Sequence, residues 1–229
     1  MILDQFKLDG KVAIVTGAAR GLGQGMALGL AEAGADIALV DILDMSESKA
    51  KIEALGRKCV AITADLSKKE SVDTIVRTTV EQMGGIDILF NNAGIIRRAP
   101  ITEFTEKDWD DVMNINLRTL FFLSQAVGKQ MIQQGRGGKI VNTASMLSFQ
   151  GGIFVPSYTA SKSAVMGLTR LLANELGAHN INVNAIAPGY MATDNTKALR
   201  EDPDRNKAIL DRIPAGRWEI GRASCRERV

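Results

Sequence analysis

The sequence "KVAIVTGAARGLG", residues 11–23, decides the fold of this chain. Its first six residues are rich in β-branched and apolar side chains, which predicts a buried strand. Gly17, Gly21 and Gly23 follow, and the next segment, "LGQGMALGLAEAG" (22–34), carries apolar residues at helical spacing. The stretch therefore predicts a strand, a glycine-rich turn and a helix, which is the repeating unit of a sheet with helical crossovers.

The same alternation continues along the chain. Helical spacing recurs between short β-rich runs, for example in "KKESVDTIVRTTVEQMG" (68–84). The later β-rich runs are residues 36–41, 58–65, 86–94, 138–145 and 181–189. Together with the first run they predict an α/β fold with a doubly wound parallel sheet of the Rossmann type, in a single domain over residues 1–218. Ligands of such sheets bind beyond the carboxyl ends of the strands, so we expect the functional residues there.

Composition and charge exclude several classes of function. The 229 residues are 45% hydrophobic with a net charge of +2, and no run of lysine and arginine predicts a nucleic-acid or anionic-membrane partner. The N-terminus does not read as a signal peptide and no apolar stretch reaches membrane-spanning length, so we expect a cytoplasmic protein. Cys59 and Cys225 form neither a ligand cluster nor a disulfide framework, and we expect no metal site.

The glycine turn and the end of the second strand predict a dinucleotide site. Glycines let a pyrophosphate approach the backbone, and the helix N-terminus supplies N–H donors; a tight turn without a ligand is the alternative. Asp41 closes the second strand, eighteen residues beyond Gly23, where a carboxylate accepts from ribose hydroxyls and repels a 2′-phosphate. This favours NAD over NADP. Arg20 argues the other way, because a guanidinium there could pair with that phosphate.

Two further strand ends carry polar residues. Asp65 ends the third strand, where it either accepts from the adenine amine or caps the following helix. "NNAG" (91–94) ends the fourth strand beside the expected adenosine half of the cofactor, unless its asparagines only hold a turn.

The segment "PSYTASKSAVMG" (156–167) predicts the catalytic chemistry. Tyr158 and Lys162 lie one helical turn apart, and Ser145 closes the fifth strand at the same sheet edge. A phenol titrates near pH 10, so its use as a base near pH 7 requires a pKa lowered by about three units, which a neighbouring ammonium and an oxidised nicotinamide could supply. Tyr158 would then be the acid/base and Ser145 would hold the oxyanion, although Tyr-x-x-x-Lys alone also describes an ordinary amphipathic helix.

The glycine turn, "NNAG", Ser145, Tyr158 and Lys162 together resemble the short-chain dehydrogenase/reductase family. The resemblance implies that Asn116, in "VMNINLRT", holds a water-linked proton path to Lys162, and that "APGYMAT" (187–193) covers the nicotinamide. It also implies a homotetramer. The implied NAD contacts are Gly17, Arg20, Gly21, Leu22, Gly23, Asp41, Asp65, Leu66, Asn92, Ala93, Gly94, Tyr158, Lys162, Pro188, Gly189, Met191 and Thr193.

Within that family, residues 1–218 resemble bacterial dehydrogenases of sugar acids, which implies a sugar-acid substrate. A carboxylate needs a cation, and Arg97 and Arg98 follow "NNAGII" near the substrate side of the fourth strand. We expect one of them to bind the carboxylate, with two solvated loop arginines as the alternative. Ser145 and Tyr190 complete the expected substrate contacts.

The last segment, "EIGRASCRERV" (219–229), has neither strand nor helix periodicity. It resembles a sequencing-adapter read translated in frame, so we interpret it as an artefact, with a genuine basic tail as the alternative. On this interpretation the domain is truncated before its last strand. We then expect the 229-residue chain to be poorly soluble or non-tetrameric and nearly inactive, a cofactor-binding fragment of an active enzyme.

Overall fold

The computed structural model describes residues 1–219, without the side chains of Leu3 and Asn195. Contacts divide it into two compact units, Met1–Ala187 and a second unit that begins at Pro188. The interpretation of the tail as an artefact concerns residues 220–229, which lie outside the described part, and Glu219, which lies inside it. In the described part of the chain, none of the helices combines the length and the apolar composition of a transmembrane span.

One parallel sheet forms the centre of the first unit. Its strands are β1 (Val12–Thr16), β2 (Asp36–Asp41), β3 (Cys59–Thr63), β4 (Ile88–Asn91), β5 (Gly138–Thr143) and β6 (Ile181–Ile186). They lie in the order β3-β2-β1-β4-β5-β6, and every pair is parallel. This confirms the predicted doubly wound Rossmann-type sheet.

Helices lie between the strands and after the last one. They are α1 (Gly21–Glu32), α2 (Ser46–Glu53), α3 (Glu70–Met83), α4 (Glu106–Met113), α5 (Leu120–Gln134), α6 (Leu147–Gln150), α7 (Pro156–Leu176), α8 (Lys197–Glu201) and α9 (Pro203–Leu210). A π-helical segment, Asn114–Thr119, joins α4 to α5 without a break. Shorter 3-10 turns lie at Ile2–Phe6, Gly177–His179 and Asp194–Thr196.

The alternation of side chains along each strand produces two buried layers. In β1, Ile14 faces a layer built with α3, α5 and α7, whereas Ala13 and Val15 face a layer built with α1 and α2. β2 repeats the pattern. Both faces of the sheet are covered by helices, which is why its central strands are continuously apolar.

The strand order reverses between β1 and β4. From β1 the chain proceeds outward through β2 and β3, and then returns to β4 on the other side of β1. Connections leave the sheet in opposite directions at this point, and a crevice opens above the carboxyl ends of the two strands. Thr16 and Asn91 are the last residues of these strands, so the segments that follow them form the crevice walls.

The second unit is described by itself. Met191 pairs with Glu219 in an isolated parallel bridge, and the Tyr190 ring contacts the Trp218 ring edge-on at 5.6 Å. The helices α8 and α9 follow the 3-10 turn at Asp194–Thr196. Glu219, the first residue of the segment interpreted as an artefact, is thus part of a backbone pairing.

Candidate active site

The glycine turn between β1 and α1 has the geometry that only glycine tolerates well. Gly17 and Gly21 have φ angles of +68° and +59°, in the left-handed region. A Cβ built on Gly23 would lie 1.9 Å from the Gly17 carbonyl oxygen. The chain therefore folds back tightly on itself before α1, and the first N–H groups of that helix face the crevice edge.

A second strand end supports this turn. The Asn92 side-chain amide donates to the carbonyls of Thr16 and Gly17 at 3.1 and 3.3 Å. The Thr16 hydroxyl accepts from the backbone N–H groups of Asn92 and Ala93, each at 3.0 Å. These bonds join the ends of β1 and β4, so the predicted "NNAG" segment and the glycine turn form one wall of the crevice.

Asp41 closes β2 beside the glycine turn. One carboxylate oxygen accepts from the Ala19 N–H at 3.0 Å, and the other accepts from the Leu43 N–H at 3.1 Å. Each oxygen keeps a further lone pair for a ligand hydroxyl. Arg20 is exposed at the residue that precedes α1, and Leu22 lies within the first turn of that helix. Asp41, which was predicted to favour NAD, and Arg20, which was predicted to favour NADP, thus lie at the same edge of the crevice.

Asp65 and Leu66 lie in the loop after β3. The Asp65 carboxylate accepts from the Ser67 N–H at 2.9 Å, and hydrogen bonds from Ser67 lower the pKa of Asp65. This bond holds a turn that precedes α3 by several residues, so Asp65 does not cap the helix itself. The Thr119 hydroxyl donates to the Leu66 carbonyl at 2.7 Å, which attaches the loop to the π-helical segment.

Asn116 lies in the middle of the π-helical segment and is fully buried. Its side chain accepts from the Ile95 N–H at 2.8 Å and donates to the Ile95 carbonyl at 2.9 Å. A Cβ built on Gly94 would lie 3.1 Å from the Asn116 carbonyl oxygen and 3.7 Å from the Lys162 ammonium nitrogen. Asn116, Gly94 and Lys162 are therefore neighbours, as the predicted proton path requires.

Lys162 projects from α7 into the protein and is 3% exposed. Its ammonium donates to the Thr143 carbonyl, the last of β5, at 2.5 Å. Burial lowers its pKa to about 8. At pH 7 the ammonium form still accounts for about nine molecules in ten.

Tyr158 lies one turn before Lys162 on α7, and the Lys162 ammonium is 5.7 Å from the centre of its ring. Burial raises the pKa of Tyr158, while a hydrogen bond with the Ser145 hydroxyl and the charge of Arg98 act to lower it. The pKa change expected for a base is thus not found in the protein alone, because desolvation outweighs the favourable contacts. The three predicted residues Ser145, Tyr158 and Lys162 nevertheless converge at the carboxyl ends of β4 and β5.

The two arginines of the loop after β4 have different surroundings. Arg97 forms ion pairs with Asp108 at 3.3 Å and with Asp111 at 3.7 Å, both on α4. Arg98 is exposed, and its charge acts on Tyr158. Which of the two arginines binds a substrate carboxylate remains a prediction.

The other predicted contacts belong to the second unit. The Thr193 hydroxyl and Thr196 form a reciprocal cap at the start of the 3-10 turn, and Arg200 donates to the Thr193 carbonyl at 3.1 Å. Met191 and Tyr190 make the contacts with Glu219 and Trp218 given above. The roles expected of Pro188, Gly189, Tyr190, Met191 and Thr193 remain predictions.

Three polar groups support the site without having been predicted from the sequence. They are the Thr16 hydroxyl, the Thr143 carbonyl, and the hydroxyl of Ser48, a buried residue of α2 that lies 2.9 Å from the Ala18 carbonyl. The position of the two threonines as the last residues of β1 and β5 was a signal that could have found them. Ser48 had no such signal, because it comes from a helix remote in sequence.

Comparison with known proteins agrees with this geometry. The profile of the family described as short chain dehydrogenase matches residues 11–204. The chain belongs to the short-chain dehydrogenase family. It is therefore an oxidoreductase that interconverts alcohols and ketones.

Individual relatives are similar over nearly the whole chain. A 2-dehydro-3-deoxy-D-gluconate 5-dehydrogenase from Dickeya dadantii (strain 3937) is 64% identical over 220 residues, which cover 96% of this chain and 87% of that protein. A gluconate 5-dehydrogenase from Gluconobacter oxydans (strain 621H) is 44% identical, covering 94% of this chain and 84% of that protein. The crystal structure of a putative 2-deoxy-D-gluconate 3-dehydrogenase from Agrobacterium tumefaciens with bound NADP is 52% identical, with a TM-score of 0.87 over 96% of this chain and 87% of that chain.

The packing of the glycine turn in this short-chain dehydrogenase gives a first prediction. In Gly23→Ala the new Cβ would meet the Gly17 carbonyl oxygen at 1.9 Å and the Asn92 amide at 2.6 Å, so the turn must open. We expect a loss of about 1–3 kcal/mol in unfolding free energy. We also expect about tenfold weaker NADH binding in a fluorescence titration, because the donors of the turn move apart.

Gly29→Ala, on the same helix, is the matched control. Nothing lies within 4 Å of its Cβ position, and alanine is the better helix former, so we expect a gain of about 0.5–1 kcal/mol and unchanged NADH binding. Equal effects of the two substitutions would contradict the packing argument.

Proposed function

We propose that this short-chain dehydrogenase interconverts a hydroxyl and a ketone on a deoxy sugar acid such as 2-dehydro-3-deoxy-D-gluconate, with NAD as its cofactor. The observation that carries the proposal is the convergence of the Ser145 hydroxyl, the Tyr158 phenol and the buried Lys162 ammonium at one sheet edge. The glycine turn lies at the same edge, across β4 from these residues. An acid/base group and a dinucleotide site are the two parts that this reaction needs.

In the proposed oxidation Tyr158 takes the proton of the substrate hydroxyl as the carbon loses a hydride. In the reverse direction Tyr158 returns the proton to the carbonyl oxygen. Ser145 donates a hydrogen bond to the same oxygen as negative charge develops on it. The nicotinamide dinucleotide, when bound, accepts or supplies the hydride.

Lys162 and Asn116 are assigned supporting roles. The Lys162 ammonium favours the phenolate of Tyr158 and is also assigned a bond to the ribose of the nicotinamide. Asn116 is assigned the water that carries the proton onward, since its carbonyl oxygen and the ammonium lie on the same side of Gly94. Its amide also donates to the Ser161 hydroxyl at 3.3 Å, which fixes its orientation.

The substrate class is inferred from the relatives and from Arg98. The Dickeya dadantii relative is named for 2-dehydro-3-deoxy-D-gluconate, and the exposed Arg98 guanidinium could bind a carboxylate through two hydrogen bonds. The alternative substrate is gluconate or another sugar or polyol, as the name of the Gluconobacter oxydans relative suggests. Both alternatives use the same catalytic residues.

NAD is preferred in the proposal because the Asp41 carboxylate would repel a 2′-phosphate. The opposing observations are Arg20 beside the turn and the NADP bound to the Agrobacterium tumefaciens relative. The cytoplasmic location, the homotetramer and the incompleteness of the chain remain predictions from the sequence.

Tyr158→Phe tests the catalytic assignment. The substitution removes the phenol oxygen alone, so we expect kcat to fall about a thousandfold while NADH binding stays within about twofold. Ser163→Ala, at an exposed position of the same helix, is the control for helix perturbation, and its kcat should stay within about threefold. Activity of Tyr158→Phe within tenfold of the parent would remove Tyr158 from the mechanism.

Asp41→Ala tests the cofactor. Loss of the carboxylate relieves repulsion of the 2′-phosphate, and we expect the ratio of kcat/KM for NAD to that for NADP to fall about tenfold. Arg20→Met is the opposite variant and should raise the same ratio. A parent enzyme that already prefers NADP would overturn the assignment of NAD.

Arg98→Met tests the substrate. We expect kcat/KM to fall about thirtyfold for the sugar acid, which is the effect of about 2 kcal/mol from one charged hydrogen-bonding partner. For the polyol in which a hydroxymethyl group replaces the carboxylate, we expect kcat/KM to fall less than about threefold. Equal losses with both substrates would mean that Arg98 makes no carboxylate contact.

A further inference from the structure

Phe154, in the loop before α7, has an unusual backbone. Its φ angle is +65°, and among the described residues only one other non-glycine residue, Asn180, has a positive φ. Bulky side chains rarely adopt this conformation, and where they do the surrounding structure holds it. The Phe154 ring is half exposed, so burial of the ring does not account for the conformation.

The Phe154 carbonyl has a defined partner in the loop after β4. It accepts from the Ala99 N–H at 3.1 Å. Ala99 directly follows Arg98 in the loop after β4, whereas Phe154 lies four residues before Tyr158. This bond therefore joins the loop that carries Arg98 to the segment that leads into the acid/base helix.

Two other anchors hold the same loop. The Asn116 side chain makes both backbone bonds of Ile95, and the Arg97 guanidinium lies against Asp108 and Asp111 of α4. Arg98 thus stands between an ion pair on one side and the Ala99 backbone bond on the other. Because the backbone on both sides of Arg98 is held, less freedom of the loop is lost when the Arg98 side chain binds a ligand.

We propose that the left-handed backbone at Phe154 is a positioning device that holds Arg98 for the substrate, so that Phe154 sets the preference for charged over uncharged substrates. The proposal rests on the proposed function, because it assumes that Arg98 binds the carboxylate. It adds a residue that touches neither substrate nor cofactor. Phe154 acts through its carbonyl oxygen, which accepts from the Ala99 N–H while the Phe154 backbone is in the left-handed region.

The surroundings of Tyr158 provide a second test of the positioning role of Phe154, through the pH dependence of activity. The groups that act on the phenol are Ser145, Lys162 and Arg98. Arg98 acts to lower the pKa of Tyr158, so displacement of its guanidinium raises that pKa. The acid limb of the profile of kcat/KM against pH, measured for alcohol oxidation, should then move to higher pH.

Phe154→Val and Phe154→Asn form the matched pair for the test. Both lose the ring, but asparagine tolerates a positive φ and valine does not. We expect Phe154→Val to lower kcat/KM about tenfold for the sugar acid and less than about twofold for the uncharged polyol, and to move the acid limb upward. Phe154→Asn should retain the parent preference and the parent pH profile.

The dependence on Arg98 is tested by combination. In an Arg98→Met background, Phe154→Val should have less than about a twofold effect on the sugar acid, because no guanidinium remains to be positioned. A full tenfold effect in that background would overturn the proposal. Equal losses in Phe154→Val and Phe154→Asn, or no loss in either, would also overturn it.

Asn180→Val controls for strain alone. Asn180 has a φ of +57° and precedes β6, at the end of the sheet opposite the crevice. We expect it to lower the melting temperature without altering substrate preference. If the parent enzyme does not prefer the sugar acid over the polyol, the proposed substrate is wrong. The positioning role is then decided by the pH profile alone: Phe154→Val should still move the acid limb upward, measured with whichever alcohol the enzyme oxidises.

Discussion

The hydrogen bond from the Lys162 ammonium to the Thr143 carbonyl is the interaction on which the site depends. An ammonium that is 3% exposed has lost its water, and the resulting fall of its pKa from 10.5 to about 8 corresponds to about 3 kcal/mol. The carbonyl at the end of β5 offsets part of that loss at 2.5 Å. The end of β5 therefore stabilises the charged form of Lys162 beside Tyr158.

A buried polar chain holds the end of β5. Asn142 and Asn91 are register partners on β5 and β4, and the Asn91 amide donates to Asn142 at 2.9 Å and to Ser124 of α5 at 2.9 Å. Asn142 in turn donates to Thr169 of α7 at 3.1 Å. These side chains are buried, so a missing partner would leave a desolvated polar group at a cost of about 1–3 kcal/mol. These hydrogen bonds thus connect α5 and α7 to the last residue pair of β4 and β5.

The strands could be read from the sequence, and much of the candidate site followed from them. Every strand lies inside a run marked by β-branched residues, because both the runs and the helical spacing between them are local signals. Asp41 and Ser145 were then predicted as site residues because they lie at the ends of strands. The π-helical segment at Asn114–Thr119 was not predicted, because one extra residue per turn over six residues leaves no periodic signature. The ion pair of Arg97 with α4 and the raised pKa of Tyr158 were not predicted either. Both result from tertiary packing, which brings distant charges together and removes water from the phenol.

The opposing shifts at Tyr158 and Lys162 have one cause and one consequence. Burial disfavours charge on both groups, so the pKa of the phenol rises while that of the ammonium falls. The protein alone therefore keeps the phenol protonated, which suits donation of a proton to a carbonyl oxygen. Removal of a proton from an alcohol requires a phenolate, and each positive charge near the ring makes that state less costly. Water is excluded on the Lys162 side of the ring, so a small displacement of a nearby cation changes the pKa of the Tyr158 phenol more than it would in bulk solvent. For this reason the position of the Arg98 loop contributes to the acid/base chemistry.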